Sequence, residues 1–229
     1  MSETSRMNPS DEPPPSLARE SLLREPPITS RGKRTWEALI AAARKVFERD
    51  GYLDARLTDI TKEASCSTGT FYTYFAGKEE IFAAVMARAQ EDMMHPGMPH
   101  VDTRDDPVAI VEASNRAYFA AYRRNARLMG LLEQVSNVDP EFRRLRHSRG
   151  DAFIRRNARS IAGLQERGLA DATLDPMLAS RALSSMVSRL GFWHFVVEPD
   201  EAADPARFEE LVATATRLWV NALRLPQRD

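Results

Sequence analysis

A short stretch of the chain, residues 57–80, combines hydroxyl side chains that can bind phosphates or base edges with aromatic side chains that need a core. It reads LTDITKEASCSTGTFYTYFAGKEE. Phe71 and Phe75 are four residues apart, so they share one face of a helix and can pack inward together. The threonines and Gly69 then lie on the outer face or at the helix start, where small residues allow close approach to a nucleic-acid backbone. The stretch therefore predicts a nucleic-acid contact.

The elements that position these residues are two short helices joined by a tight turn. Thr58 is a good N-cap for a first helix that runs to Ala64, with Ile60 facing inward. Residues 65–67 form the turn, and residues 68–75 form the second helix. Two short helices across such a turn are a helix-turn-helix, whose second helix fits the major groove of DNA.

The remaining pattern is helical as well. Residues 36–47 follow the periodicity of one helix face, and Gly51 is suited to the left-handed position that ends a helix. Four later helices are predicted to begin with an N-cap aspartate and a proline at the first helical position, and Gly168 to end a long helix. The four pairs are Asp106-Pro107, Asp139-Pro140, Asp175-Pro176 and Asp204-Pro205. Because no segment alternates as a strand would, the sequence predicts an all-α fold with about nine helices.

From Lys33 to about Arg88 the chain resembles the DNA-binding head of the TetR family of bacterial transcriptional regulators. The segments that carry the resemblance are RTWEALIAAARKVFERDGY and LTDITKEASCSTGTFYTYFAGKEEIF. Three positions differ from the family pattern: Thr61 stands where alanine is usual, Ser65 where the turn glycine is usual, and Cys66 where a valine-like residue is usual. Ser65 then has to adopt the backbone geometry that the turn requires.

The resemblance implies a domain organisation and a DNA-facing set of residues. It implies a helix-turn-helix head over residues 31–78 and an effector-binding and dimerisation domain over residues 79–229. By position in the motif, the residues expected at the DNA surface are Thr58, Thr68, Thr70, Tyr72, Tyr74 and Lys78. The outward face of the second helix adds Gly69 and Thr73.

The local charge agrees with a DNA-binding head. Between Arg31 and Lys78 there are nine basic and six acidic residues, a net charge of +3 against −1 for the whole chain. Arg31, Lys33 and Arg34 precede the first predicted helix, and as a flexible arm they would reach the minor groove or nearby phosphates. The alternative is an ordinary solvated helix start.

The final helices carry the clearest apolar pattern of the chain. A stripe from Phe208 to Ala222 repeats at helical spacing, and residues 182–197 are apolar almost all round. The resemblance implies that these two helices pair with those of a second subunit, and a homodimer also doubles the contact with a palindromic operator. The predicted interface residues are Leu211, Ala215, Leu218, Trp219 and Ala222. The alternative is that both helices belong to the core of a monomer.

Large apolar side chains also fill the helices between the head and the final pair. The resemblance implies a cavity for a small, mainly apolar effector, and the candidate residues are Tyr118, Tyr122, Met129, Phe153, Met186 and Trp193. The alternative for each of them is plain core packing. Two arginine-dense segments, residues 123–127 and 143–159, suit carboxylates and phosphates, although a solvated helix face explains them as well.

The bulk composition limits the other functions. One cysteine in 229 residues excludes an internal disulfide framework. No apolar run approaches the length of about 20 residues that crosses a bilayer, and residues 1–30 form a Pro-rich tail predicted to be disordered. The chain shows no catalytic motif or cofactor-binding motif. His95, His100 and Asp102 have a spacing that is common in loops by chance, so they do not predict a metal site.

The sequence thus predicts a cytoplasmic, non-enzymatic DNA-binding regulator without a cofactor. We expect a repressor that binds double-stranded DNA as a homodimer and that a small-molecule effector releases from a palindromic operator. The alternative is a helical partner-binding or architectural DNA-binding protein without an effector.

Overall fold

The regular elements of the protein are all helical throughout the part of the chain that the structure describes, which confirms the all-α class. The structure is a computed structural model that describes residues 27–94, 106–199 and 204–226. Within these ranges there are nine α-helices and one π-helical turn. They are α1 Ser30–Asp54, α2 Leu57–Glu63, α3 Thr68–Tyr74, α4 Lys78–Met94, α5 Pro107–Arg124, α6 Ala126–Val138, α7 Pro140–Glu166, α8 Pro176–Phe192, the π-helical turn Trp193–Val197 and α9 Pro205–Leu223. None of the helices in these ranges is both long enough and apolar enough to cross a membrane.

The start of α1 differs from the prediction of a flexible basic arm. The hydroxyl of Thr29 accepts the backbone N–H of Gly32 at 3.1 Å, and the Thr29 carbonyl accepts that of Lys33 at 2.9 Å. These bonds start the helix at Ser30, so Arg31, Lys33 and Arg34 are exposed residues of its first turns. The arm prediction is therefore wrong. The rest of the predicted tail, residues 1–26, lies outside the described residues.

The predicted helix ends are confirmed in their backbone conformation. Gly51 has a φ of +80°, although α1 resumes after this kink and runs to Asp54. The ring of Tyr52 folds back onto Phe47, with 5.9 Å between the ring centroids. Gly168 has a φ of +69° just after α7.

The four Asp-Pro pairs start their helices as predicted. Each aspartate carboxylate accepts a backbone N–H from the first turn of its helix, at distances of 3.0 Å for Asp106, 3.4 Å for Asp139, 2.7 Å for Asp175 and 2.9 Å for Asp204. The following proline costs no hydrogen bond, because the first N–H groups of a helix have no partner within it.

A single hydrophobic core connects the first three helices with the rest of the protein. Phe82 of α4 is fully buried and lies edge-on to Phe47 of α1 at 5.1 Å and to Phe142 of α7 at 5.5 Å. Helix α4 therefore packs both against the helix-turn-helix region and against the C-terminal helices. Arg44 of α1 adds a hydrogen bond to the carbonyl of Arg124 at 3.2 Å.

The turn between α2 and α3 contains a strained residue. Ser65 has a φ of +52°, in the left-handed region that glycine adopts without a steric cost. For other residues this conformation costs about 1–2 kcal/mol. We expect Ser65→Gly to raise the free energy of unfolding by about 1 kcal/mol, measured by chemical denaturation. Ser65→Ala is the control, because it removes the hydroxyl and keeps the strain. A Gly variant no more stable than the Ala variant would contradict this explanation.

Candidate nucleic-acid interface and cavity

The short helix α3 begins with a capped turn. The hydroxyl of Ser67 accepts the backbone N–H of Thr70 at 3.1 Å, and it also bonds the Thr70 hydroxyl at 2.9 Å. Thr58 is not the N-cap of α2, which corrects the prediction. Arg56 occupies that position, and its carbonyl accepts the first N–H groups of the helix without any side-chain cap. Thr58 is an exposed residue inside the first turn.

The two faces of α3 separate as the spacing predicts. Phe71 and Phe75 are 0% and 2% exposed, and their ring centroids are 5.8 Å apart. Phe75 also stacks on Trp36 of α1 at 6.3 Å, which anchors α3 to the longest helix of the head. Of the residues predicted at the DNA surface, the structure leaves Thr68, Gly69, Tyr72 and Thr73 exposed and Thr70 and Tyr74 half-buried. Tyr72 is 51% exposed.

Lys78 is held within the protein. Its ammonium group donates hydrogen bonds to the carbonyls of Leu53 at 3.1 Å and Ala55 at 3.3 Å. It also lies 4.9 Å above the ring of Tyr52. An ammonium group has three N–H donors, so two of them link the end of α1 to the start of α4. The third donor of Lys78 remains available for the phosphate contact that was predicted for this residue.

Ion pairs separate the basic residues of the head into two groups. Arg44 pairs with Glu48 at 2.9 Å, Lys45 with Glu63 at 2.9 Å and Arg49 with Asp50 at 2.7 Å. The other exposed cations make no ion pair within the described residues, and they are Arg31, Lys33, Arg34, Arg56 and Lys62. Unpaired surface cations of this kind are available to phosphate groups.

A cavity of about 1330 Å³ lies among α5 to α9. Four of the six residues predicted to bind an effector line it: Tyr118, Tyr122, Met129 and Phe153. Burial raises the pKa of the Tyr122 phenol well above its ordinary value, and the nearby Tyr118 raises it further, so this hydroxyl remains protonated at neutral pH. The cavity is larger than the roughly 300–1,000 Å³ that is typical of small-molecule sites.

Met186 and Trp193 do not line the cavity, so the prediction is wrong for these two residues. Trp193 is 48% exposed, while its neighbour Phe192 lines the cavity. Successive residues of a helix point about 100° apart, and adjacent apolar residues therefore cannot all face one side. Met186 lies about 200° around α8 from Ser188, which is a lining residue.

The cavity wall also contains arginines, two of them from the arginine-dense segment 143–159 for which a solvated helix face was one alternative. The lining residues Arg146 and Arg156 come from the arginine-dense part of α7, and Arg181 and Arg189 come from α8. The interleaving of arginines with Phe153 and Phe192 in the sequence was the available indication, because a purely solvated face has no need of large aromatics.

Helix α9 packs its apolar face against α5 of the same chain. Ala215 is 0% exposed and Trp219 8% exposed, so neither can belong to a surface between subunits as predicted. Thr216 in the same face accepts a hydrogen bond from Asn115 of α5 at 3.2 Å. The other predicted interface residues are accessible: Leu218 is 43% exposed, Ala222 is exposed and Leu211 is half-buried.

Potential metal ligands do not cluster in the part of the chain that the structure describes. His95, His100 and Asp102 lie outside the described residues.

Comparison with known proteins finds a family match for the helix-turn-helix region. Residues 39–85 match the family model described as bacterial regulatory proteins, tetR family. The A-factor receptor protein of Streptomyces griseus is 26% identical over 154 residues, which cover 67% of this chain and 52% of that protein. The HTH-type transcriptional regulator EthR of Mycolicibacterium smegmatis is 23% identical over 192 residues, which cover 81% of this chain and 84% of that protein.

The fold is shared with solved regulators. SmeT, the repressor of the Stenotrophomonas maltophilia multidrug efflux pump SmeDEF, superimposes with a TM-score of 0.63 at 22% identity, covering 82% of this chain and 89% of that one. Its complex with triclosan gives a TM-score of 0.65 at 23% identity, covering 82% and 91%. At this identity the likeness concerns the fold alone. Residues 39–85 therefore form a helix-turn-helix region of the tetR family of bacterial regulatory proteins, and the chain as a whole has the fold of the solved regulators.

Proposed function

We infer that the protein is a cytoplasmic repressor that binds a palindromic operator as a homodimer and releases it when a small, mainly apolar effector enters the cavity. The observation that carries the operator-binding part is the division of α3 into two faces. Phe71 and Phe75 anchor the helix in the core, while Thr68, Tyr72 and Thr73 present hydroxyl groups to solvent. Hydroxyl side chains on an exposed helix can contact both phosphates and base edges.

The dimer is supported by apolar residues that the single chain leaves uncovered. On α9, Leu211, Leu218 and Ala222 lie on one flank of the face that packs against α5. Trp193 and Val197, which follow α8, are 48% and 45% exposed. A second copy of the chain would cover such side chains, and the twofold symmetry of a dimer matches a palindromic site.

The effector is supported by the cavity and by the complex of SmeT with triclosan. Helix α4 is suited to couple this site to DNA, because Phe82 contacts both Phe47 of α1 and Phe142 of α7. A shift of α4 would change the distance between the two α3 helices of a dimer, whereas operator half-sites are about 34 Å apart. The effector can lower the affinity for DNA only by the ratio of its own affinities for the DNA-incompetent and DNA-competent states.

Selection of bound sequences from a randomised duplex library, followed by footprinting, tests this proposal. We expect a palindrome with half-sites about one helical turn apart. Tyr72→Ala should lower affinity for the selected site about tenfold, since one good contact to a base edge is worth roughly 1–3 kcal/mol. The thermal stability should not change, because Tyr72 is half exposed. Tyr72→Phe is the matched control that separates the hydroxyl from the ring. Full affinity in Tyr72→Ala, or no enriched palindrome, would contradict the proposal.

A further inference from the structure

We propose that the effector is an amphipathic anion whose carboxylate, sulfonate or similar group is bound by Arg156 in the cavity wall. This inference rests on the proposed effector site and specifies the chemical class of its ligand. It adds an anionic group to an otherwise mainly apolar molecule.

Arg156 is a cavity-lining arginine without a carboxylate partner among the described residues. Two other lining arginines already have carboxylate partners, since Arg146 pairs with Glu133, and Arg181 pairs with Asp151 at 3.4 Å. Arg156 makes no ion pair within the described residues. Its guanidinium instead lies 4.8 Å from the centroid of the Phe153 ring. This contact orients the group and leaves its N–H donors available to a ligand.

The surroundings of Arg156 are those of a group that faces a protein cavity. The side chain is accessible to solvent, yet burial lowers the pKa of its guanidinium, and the like charge of Arg159 lowers it further. A side chain can be accessible to solvent and still be desolvated when it borders a cavity whose walls are protein. A bound anion would relieve the desolvation and the repulsion, because it supplies the opposite charge.

A second arginine at the wall also lacks a carboxylate partner in the described part of the chain. Arg189 makes no ion pair within the described residues and lies 5.0 Å from the ring of Phe192. Tyr122, whose phenol group can donate a hydrogen bond, lines the same cavity. Since guanidinium groups only donate, a ligand with several acceptor oxygens complements this wall.

The rest of the ligand has to be apolar and extended. Ile110, Val111 and Leu132 line the cavity from α5 and α6, and Leu164 and Val187 line it from α7 and α8. A space of about 1330 Å³ is far larger than an inorganic anion needs. The combination favours an organic anion with a large hydrophobic body.

Two related fluorescent dyes test this inference on the full-length protein. Anilinonaphthalene sulfonate carries the negative charge, and phenyl naphthylamine has the same rings without it. We expect Arg156→Met to weaken binding of the sulfonate about tenfold or more and to leave the neutral dye unchanged, because one charge-assisted contact is lost. Arg156→Lys should restore part of the affinity. Arg155→Met is the matched control, since Arg155 is exposed on α7 and does not line the cavity.

A cavity-filling variant separates failure of this inference from failure of the effector site. Ser188→Trp places a large side chain in the lining and should abolish binding of both dyes. If Ser188→Trp does so while Arg156→Met binds the sulfonate normally, the cavity is a ligand site and the anion inference is wrong. Equal weakening of both dyes by Arg156→Met would assign Arg156 a structural role and overturn the inference. Binding of both dyes unaffected by Ser188→Trp, or no binding to the wild type, would overturn the effector site itself.

Discussion

Replacing Leu218 with arginine should produce a monomer whose affinity for the palindromic operator is about a hundredfold or more below that of the dimer, because the two heads no longer bind as one unit. Leu218 is 43% exposed on the flank of α9 that also contains Leu211 and Ala222. An arginine buried there without a partner would cost several kcal/mol, more than one leucine contributes to an interface.

Sedimentation at micromolar concentration measures whether the Leu218→Arg protein is a monomer, and a mobility-shift assay measures its affinity for the operator. Ala213→Arg is the matched control, because Ala213 is exposed about 140° around α9 from Leu218 and should tolerate the charge. A Leu218→Arg protein that remains dimeric and binds the operator fully would show that the flank is not the interface. A monomeric wild type would refute the dimer altogether.

Truncation of Phe71 to alanine should lower the free energy of unfolding by about 3–5 kcal/mol, the usual cost of removing a buried phenylalanine side chain. Phe71 is fully buried, with ring centroids 5.8 Å from Phe75 and 5.6 Å from Tyr72. Helix α3 has only seven residues, so its position depends on this packing more than on its own helix propensity. We therefore expect loss of operator binding as well.

The neighbouring residue provides the control for this experiment. Tyr72→Ala removes a ring of similar size from the exposed face and should change stability by no more than about 0.5 kcal/mol. Chemical denaturation followed by circular dichroism compares the two variants. Equal destabilisation by Phe71→Ala and Tyr72→Ala would refute the assignment of inner and outer faces to α3.

Several features of the fold were predictable because they depend on residues close together in the chain. An aspartate followed by proline caps a helix through its own first turn, so the starts of α5, α7, α8 and α9 could be located. The spacing of Phe71 and Phe75 indicated the buried face of α3 in the same way. Two helix starts were predicted at the wrong residue. Thr29 caps α1, so Arg31 lies in the helix and not in an arm, and Arg56 is the N-cap of α2 in place of Thr58.

The candidate sites were less predictable, since the same apolar stripe can face a core, a cavity or a second subunit. Trp193 is the clearest case, because a large aromatic in an apolar segment is expected inside, and the structure leaves it 48% exposed. Arg156 is the reverse case, since an arginine in a charged segment is expected in solvent, and it lines the cavity. Both outcomes depend on which helices pack around the cavity, as well as on the neighbours of the residue in sequence.

By itself, the sequence determined the helical class, the helix-turn-helix and most helix boundaries, because caps and periodicity act within one or two turns. Only the tertiary structure decided that Ala215 and Trp219 pack inside the chain, that Phe192 lines the cavity in place of Trp193, and that Lys78 binds the carbonyls at the end of α1. These outcomes depend on which helices meet across the core, and helix contacts are set by packing between residues far apart in the chain.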